Sequence, residues 1–290
     1  MSPVILDGGL SNALAARGHD LSDELWTARL LRDAPEEVAA VHRAYYRAGA
    51  AVATTASYQA SVPGFERAGL SRREAEALIG RSVSTARAVR DELAGDGRRR
   101  LVAASVGPYG AVLADGSEYR GRYGVSPATL RDFHLPRLEL LVAAGPDLLA
   151  VETIPDLDEA EVLVSLLDGL GVPAWLSFSV AGGRTRAGQP LQDAFAVARD
   201  VPSVVAVGVN CCDPDDVLPA LQVAVEASGK PGVAYPNAGR VWDSGARSWA
   251  GSSSYDVALA PGWVAAGASY VGGCCEVGPP EIAALASALS

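Results

Sequence analysis

Short runs of small and β-branched residues alternate with amphipathic helical stretches along the whole chain, and this alternation restricts the fold to parallel α/β architectures. The runs occupy residues 4–7, 51–55, 101–106, 147–152, 174–179, 204–209, 232–236 and 268–272. Start and stop residues mark the helices between them. Gly8-Gly9 opens one that ends near Gly18, and Pro35 sits in the first turn of another that runs to Gly49. Ser71 with Glu74 forms a capping box for a helix that continues to about Leu93. Ser126-Pro127 starts a further helix, in which Pro136 predicts a kink or break, and Pro279 begins the closing one. Eight strands, each followed by a helix, predict a (β/α)8 TIM barrel. A doubly wound sheet would call for GxGxxG after an early strand, and Asp7-Gly8-Gly9-Leu10-Ser11-Asn12 does not supply it. With no linker, low-complexity tract or further repeat, residues 1–290 read as one domain.

A chain of 290 residues is long enough for such a barrel, and 49% hydrophobic residues is a globular proportion. A formal net charge of −10 argues against nucleic acid or an anionic membrane surface as partner. The N-terminus lacks a basic segment followed by a long apolar run, and no apolar stretch approaches the roughly 18 residues that span a bilayer. Together with four cysteines in two clusters, this predicts a cytoplasmic protein with reduced thiols. The single lysine, Lys230, leaves little scope for Schiff-base chemistry. His19, His42 and His134 fall in or beside helical patterns, so thiolates and carboxylates are left to carry the chemistry.

The two cysteine clusters are Asn210-Cys211-Cys212 and Gly273-Cys274-Cys275-Glu276. Thiolates are favoured zinc ligands, and three of them leave one tetrahedral position open, as in catalytic sites. The spacing is not that of a CxxC finger. A vicinal pair must meet a cysteine more than sixty residues upstream, so only the fold can assemble the site. Taken alone, the clusters also fit buried small hydrophobes or a strained vicinal disulfide. A barrel favours the metal, because the C-terminal ends of all its strands face one mouth. At those ends sit Asp7, Thr54, Thr55, Ser105, Glu152, Ser179, Asn210 with Cys211, Asn237, and Cys274 with Cys275. Cys211 directly follows its strand and is a better ligand than Cys212, which begins the loop.

In this order, Leu6-Asp7-Gly8-Gly9, Gly208-Val209-Asn210-Cys211 and Gly272-Gly273-Cys274-Cys275 resemble the homocysteine S-methyltransferase family. So do Thr55-Ala56-Ser57-Tyr58-Gln59-Ala60-Ser61, Ser105-Val106-Gly107-Pro108-Tyr109-Gly110, Val151-Glu152-Thr153 and Tyr235-Pro236-Asn237-Ala238-Gly239, so the resemblance covers essentially the whole chain. It implies a zinc-dependent TIM barrel that methylates the thiol of homocysteine to give methionine. A thiol with a pKa near about 8.5 is mostly protonated at neutral pH, and a homocysteine sulfur entering the open zinc position would be deprotonated without a histidine base.

On that reading Cys211, Cys274 and Cys275 hold Zn2+, and Glu152 and Asp7 face the substrate ammonium. Backbone amides of Gly8, Gly9 and Leu10 face its carboxylate, and Thr55 and Ser105 assist. Water, or the side chain of Asn210 or Asn237, completes the resting zinc. The plain alternatives are Asp7 as a helix cap, and Thr55 and Ser105 as ordinary strand-end residues. Trp26, Tyr58, Tyr109 and Trp242 are candidate walls for a cationic methyl donor, with core packing as their alternative. Arg120 and Tyr123 are candidates for a lid in the loop of residues 107–125.

Across the family the donor is a sulfonium such as S-methylmethionine, or betaine, or methylcobalamin or methyltetrahydrofolate in larger multidomain relatives. With no sequence beyond the barrel, folate- or cobalamin-binding modules and the extra segment of betaine users are not expected, and residues 106–111 with 114–121 look most like the sulfonium branch. S-methylmethionine is therefore the expected donor and S-adenosylmethionine the second choice. The competing class is a non-catalytic zinc- or thiol-binding barrel, or a redox switch at Cys274-Cys275. Carboxylates at several strand mouths argue against it, since storage needs no ammonium pocket. Oligomeric state has no reading in the sequence.

Overall fold

A computed structural model describes residues 2–21, 25, 27–239, 241–243, 248–251 and 253–290. Its main sheet contains β1 (Val4–Ile5), β2 (Val52–Thr54), β3 (Leu101–Val106), β4 (Leu148–Ile154), β5 (Ala174–Phe178), β6 (Val204–Asn210), β7 (Gly232–Tyr235) and β8 (Ala268–Val271). All pairings are parallel, in the order β1-β8-β7-β6-β5-β4-β3-β2. Leu6 bridges Val52 in parallel, and the Ala51 amide donates to the Ile5 carbonyl at 2.7 Å, which joins β1 to β2 and closes the ring. The fold is the TIM barrel that the alternating pattern predicts.

Around it lie α1 (Leu10–Ala16), α2 (Thr27–Asp33), α3 (Pro35–Ala48), α4 (Val62–Arg67), α5 (Arg72–Glu92) and α6 (Tyr109–Leu113). They are followed by α7 (Pro127–Ala143), α8 (Leu157–Leu167), α9 (Leu191–Ala196), α10 (Pro214–Ser228), α11 (Ala260–Ala265) and α12 (Pro279–Ala288). The capping box of α5 is formed, with the Ser71 amide donating to Glu74 and the Glu74 amide donating to the Ser71 hydroxyl. Pro136 does not break α7. A proline removes one helical hydrogen bond and crowds the preceding turn. Here the next residue, Arg137, is buried and donates to the carbonyls of Ser57, Tyr58 and Gly107, while Leu138 and Leu141 pack in the core. These contacts hold the helix through the proline. None of the described helices is long and apolar enough to cross a membrane.

Strand pleating sorts the core into two layers. Leu6, Val52, Ala103, Leu148, Ala150, Trp175, Ala206, Val233 and Tyr235 form one cluster inside the barrel. The alternate residues, such as Leu149, Val151, Leu176, Val207 and Ala234, pack outward against the helices. Continuing the inward positions toward the strand ends gives Thr54, Ser105, Glu152, Ser177 and Asn210, all buried. The same alternation that fills the barrel thus turns polar groups into its mouth. Between β6 and β7 the backbones come close at Gly208, where a Cβ would lie 2.0 Å from the Val233 carbonyl oxygen. Gly208→Ala is expected to destabilise the protein by about 3 kcal/mol or more through this overpacking. Gly80→Ala, inside α5 with open space around it, is expected to stabilise by up to about 1 kcal/mol. Thermal unfolding of the two variants checks both signs.

Candidate active site

The three thiols converge as the barrel requires. Cys211 follows β6, Cys274 and Cys275 follow β8, and their sulfur atoms lie within 4.8 Å of one another. The pairs are 2.8 Å for Cys211–Cys274, 3.9 Å for Cys211–Cys275 and 4.0 Å for Cys274–Cys275. Zinc–sulfur bonds of about 2.3 Å at tetrahedral angles put thiolates about 3.8 Å apart, so two pairs are already at ligand spacing and the third has only to open. The donor set therefore fits a thiophilic metal ion. Hydrogen bonds from the Cys274 and Cys275 thiols hold the Cys211 pKa well below the usual thiol range. Cys212, by contrast, is sealed in the core, and burial pushes its thiol up. It lies outside the cluster of three thiols.

Backbone hydrogen bonds to the end of β7 hold both cysteine segments. The Cys211 amide donates to the Tyr235 carbonyl at 3.2 Å and the Cys274 amide to the Pro236 carbonyl at 2.6 Å. The Cys275 amide donates to the side-chain oxygen of Asn237 at 3.1 Å. Tight contacts fix the second segment from the other side: a Cβ at Gly9 would lie 2.6 Å from the Cys274 carbonyl oxygen. Cys211 itself adopts a left-handed backbone, φ 48°, which turns the chain out of the strand at the sulfur.

Glu152 lies on the wall of the same cavity as the three cysteines. It accepts a short hydrogen bond from the Ser105 hydroxyl, and burial raises its pKa to about 8. Ser105 is held in turn by Thr55, whose Oγ1 accepts from the Ser105 amide at 3.0 Å and lies 2.7 Å from the Ser57 hydroxyl. Beside Glu152 the strand bulges: register with β5 shifts between Val151 and Ile154, and Thr153 has φ 60°. A left-handed β-branched residue costs on the order of 1–3 kcal/mol. Asn210 supports it at both ends, accepting from the Thr153 amide at 2.6 Å and donating to its Oγ1 at 2.7 Å. Ser177 also donates to the Asn210 oxygen at 2.8 Å.

These bonds revise several sequence-based assignments. The oxygens of Asn210 and Asn237 accept from the Thr153 and Cys275 amides, and neither residue is on the cavity wall, so both brace the backbone beside the cysteines. Asp7 lies behind the wall rather than on it, and it caps no helix. Its carboxylate accepts from the Thr54 amide at 2.6 Å, the Thr54 hydroxyl at 2.9 Å and the Tyr235 hydroxyl at 2.8 Å, tying β1 to β2 and β7. Burial raises its pKa to about 7. Gly8 and Gly9 line the cavity with Leu10 and Ser11, but the Gly9 amide is spent on the Val277 carbonyl at 2.9 Å.

Tyr58 does line the cavity, whereas Tyr109 and Tyr123 do not. Those two rings meet at a tilt of 59° and both residues bind Glu159 of α8, which also pairs with buried His134 at 2.8 Å. Arg120 is exposed beside Asp115. Residues 107–125 are accordingly a folded wall containing α6 and a 3-10 turn at Ser117–Tyr119, anchored by Arg122 and Tyr123 on Asp156 and Glu159. Glu118 and Tyr119 are the residues that this wall sends to the cavity, and the sequence reading did not single them out. Their sequence signal is limited to lying in a Gly/Tyr-rich stretch after β3 that resembles the sulfonium branch. Trp26 and the side chain of Trp242 lie outside the described residues.

Comparisons with known proteins identify the family. The family model described as homocysteine S-methyltransferase matches residues 4–289. The chain is 44% identical to homocysteine S-methyltransferase of Escherichia coli, over 97% of this chain and 94% of that protein. It is 43% identical to homocysteine S-methyltransferase 4 of Zea mays, over 99% and 89% of the respective chains. The solved structure of the homocysteine methyltransferase MmuM from Escherichia coli in its metallated form superposes with a TM-score of 0.89 and 42% identity. That match covers 99% of this chain and 96% of MmuM. The chain belongs to the homocysteine S-methyltransferase family.

Proposed function

We propose that this chain transfers a methyl group from a sulfonium donor, S-methylmethionine or S-adenosylmethionine, to the thiol of L-homocysteine. The observation that carries the reading is a cluster of three thiols opening into a cavity with buried carboxylates and no basic side chain among its described wall residues. Cys211, Cys274 and Cys275 would hold Zn2+. When bound there, the ion supplies the Lewis acidity that keeps the substrate sulfur deprotonated at neutral pH.

The protein's own groups do the positioning. Glu152 receives the homocysteine ammonium, and the arriving cation supplies the counter-charge that the raised pKa of this carboxyl lacks. Ser105 and Thr55 orient Glu152, Asn210 fixes the bulge beside it, and Asp7 steadies the wall through Tyr235 and Thr54. Backbone amides at Gly8 and Leu10 face the substrate carboxylate. In the transfer the homocysteine sulfur bonds the methyl carbon while the donor's sulfur–methyl bond breaks. Its electron pair stays on the donor sulfur, which leaves as a neutral thioether. The thiol proton is released to solvent, so no histidine base is needed. Four free thiols suit a reducing compartment, and the cytoplasm is the proposed location. Residues 1–290 act as one catalytic domain.

Zinc-loaded protein given homocysteine and S-methylmethionine is expected to form methionine, detected by mass spectrometry, and to stop when a chelator removes the metal. No methionine with S-methylmethionine, S-adenosylmethionine or betaine contradicts the assignment. Replacing Cys211, Cys274 or Cys275 by serine is expected to lower bound zinc well below one per chain, whereas Cys212→Ala retains it; metal analysis after dialysis reads the difference. Glu152→Gln is expected to keep its zinc and bind homocysteine at least ~30-fold more weakly by calorimetry, since removing one partner of a buried charge pair costs about 2 kcal/mol or more. A zinc store or thiol switch would show no such loss.

A further inference from the structure

Two carboxylates, not one, lie on the wall of the thiol-lined cavity: Glu152 from β4 and Glu118 from the turn after α6. They differ in how far the protein satisfies them. Glu152 has the Ser105 hydroxyl. Glu118 is 8% exposed, and its Oε2 is sealed from solvent without a hydrogen-bond partner. The neighbouring cation, Arg120, is largely in solvent and turns to Asp115 at 3.5 Å. Burying an unpaired carboxylate is costly, and the group is tolerated where a ligand completes it.

The backbone of the turn that carries Glu118 is held on both sides. The Ser117 amide is bound to Asp115, the Arg120 and Gly121 amides donate to the Ser117 carbonyl, and Gly110 leaves no room for a Cβ beside the Glu118 amide. Tyr58 and Tyr119 line the same cavity, and Tyr119 is backed by the Arg186 guanidinium 5.7 Å from its ring centre. The turn therefore holds an incompletely satisfied carboxyl group on a wall that also carries two aromatic rings.

The transfer brings two cationic groups besides the acceptor's ammonium: the donor's sulfonium and, when the donor is an amino acid, its α-ammonium. The acceptor has to reach the thiol cluster at the strand ends, where Glu152 is. Glu118 is the second carboxylate of the wall, left for a cation of the donor once Glu152 takes the acceptor's ammonium. We propose that Glu118 receives the α-ammonium of the methyl donor, with the sulfonium facing the tyrosine rings, so that the site selects amino-acid sulfoniums over those lacking an amino group. This rests on the methyltransferase reading and adds a specificity-determining residue to it.

The test compares S-methylmethionine with dimethylsulfoniopropionate, which keeps the sulfonium and carboxylate and lacks the amino group. Zinc-loaded wild-type protein and Glu118→Gln are assayed for the S-methylmethionine KM and for the inhibition constant of dimethylsulfoniopropionate. Zinc content, homocysteine affinity by calorimetry and melting temperature are measured on the same samples. The wild type is expected to favour S-methylmethionine at least tenfold. Glu118→Gln is expected to raise that KM at least tenfold while inhibition by dimethylsulfoniopropionate, homocysteine affinity and zinc stay unchanged, and Glu118→Asp to recover part of the KM. Wild-type discrimination below tenfold, which needs no variant, overturns the proposal. So does a Glu118→Gln protein that discriminates as the wild type does, or one in which both ligands weaken equally. Failure of the wild type to make any methionine would instead contradict the methyltransferase reading.

Discussion

Both cysteine segments depend on the end of one strand that carries no thiol. Tyr235, Pro236 and Asn237, at the close of β7, accept the backbone amides of Cys211, Cys274 and Cys275 in turn. Because β7 lies between β6 and β8, this single stretch sets the distance between sulfurs more than sixty residues apart in the chain. The Tyr235 hydroxyl extends the same support to Asp7, and through it to β1 and Thr54. Ligand geometry in the cluster is thus a property of strand pairing rather than of a local loop, which is how a metal-binding constellation can be held ready before its substrate arrives.

The electrostatics of the cavity follow from what surrounds it. Asp7, Glu118 and Glu152 are all buried, burial raises the pKa of each, and none of the three has an ion-pair partner among the described residues. Asp7 is compensated by three hydrogen-bond donors, Glu152 by one, and Glu118 is the least satisfied. That gradient separates a carboxylate satisfied by the fold from two whose remaining acceptor capacity suits the ammonium contacts proposed above. Ammonium and sulfonium groups are the ligands whose charge such a cavity rewards, and an anionic donor would meet the opposite field.

Much of this was legible in the sequence because strand pleating is strictly alternating. Once Leu148 and Ala150 face the barrel axis, Glu152 must follow them, and Ala206 carries Asn210 inward in the same way. The strand-end position of the three cysteines likewise follows from pattern alone. What pattern could not give is how each polar group spends its bonds. Asp7 faces the mouth yet is consumed by Thr54 and Tyr235, and Asn210 braces a bulge at Thr153 that no propensity announces. Glu118 and Tyr119 were hidden because they sit in a short 3-10 turn with no periodicity, and their approach to the cavity depends on the contacts of α7 and α8 with residues 107–125. Pro136 misled in the opposite sense, since the tertiary bonds of Arg137 outweigh the local cost of the proline.

The central claim is that three protein thiolates leave one zinc position for the substrate sulfur. Zinc K-edge X-ray absorption of the zinc-loaded protein, with and without homocysteine, tests it most directly. The account predicts three sulfur neighbours near about 2.3 Å and one lighter ligand in the free protein, changing to four sulfurs when homocysteine is added. Four sulfurs before substrate, or a shell that homocysteine leaves unchanged, would contradict it.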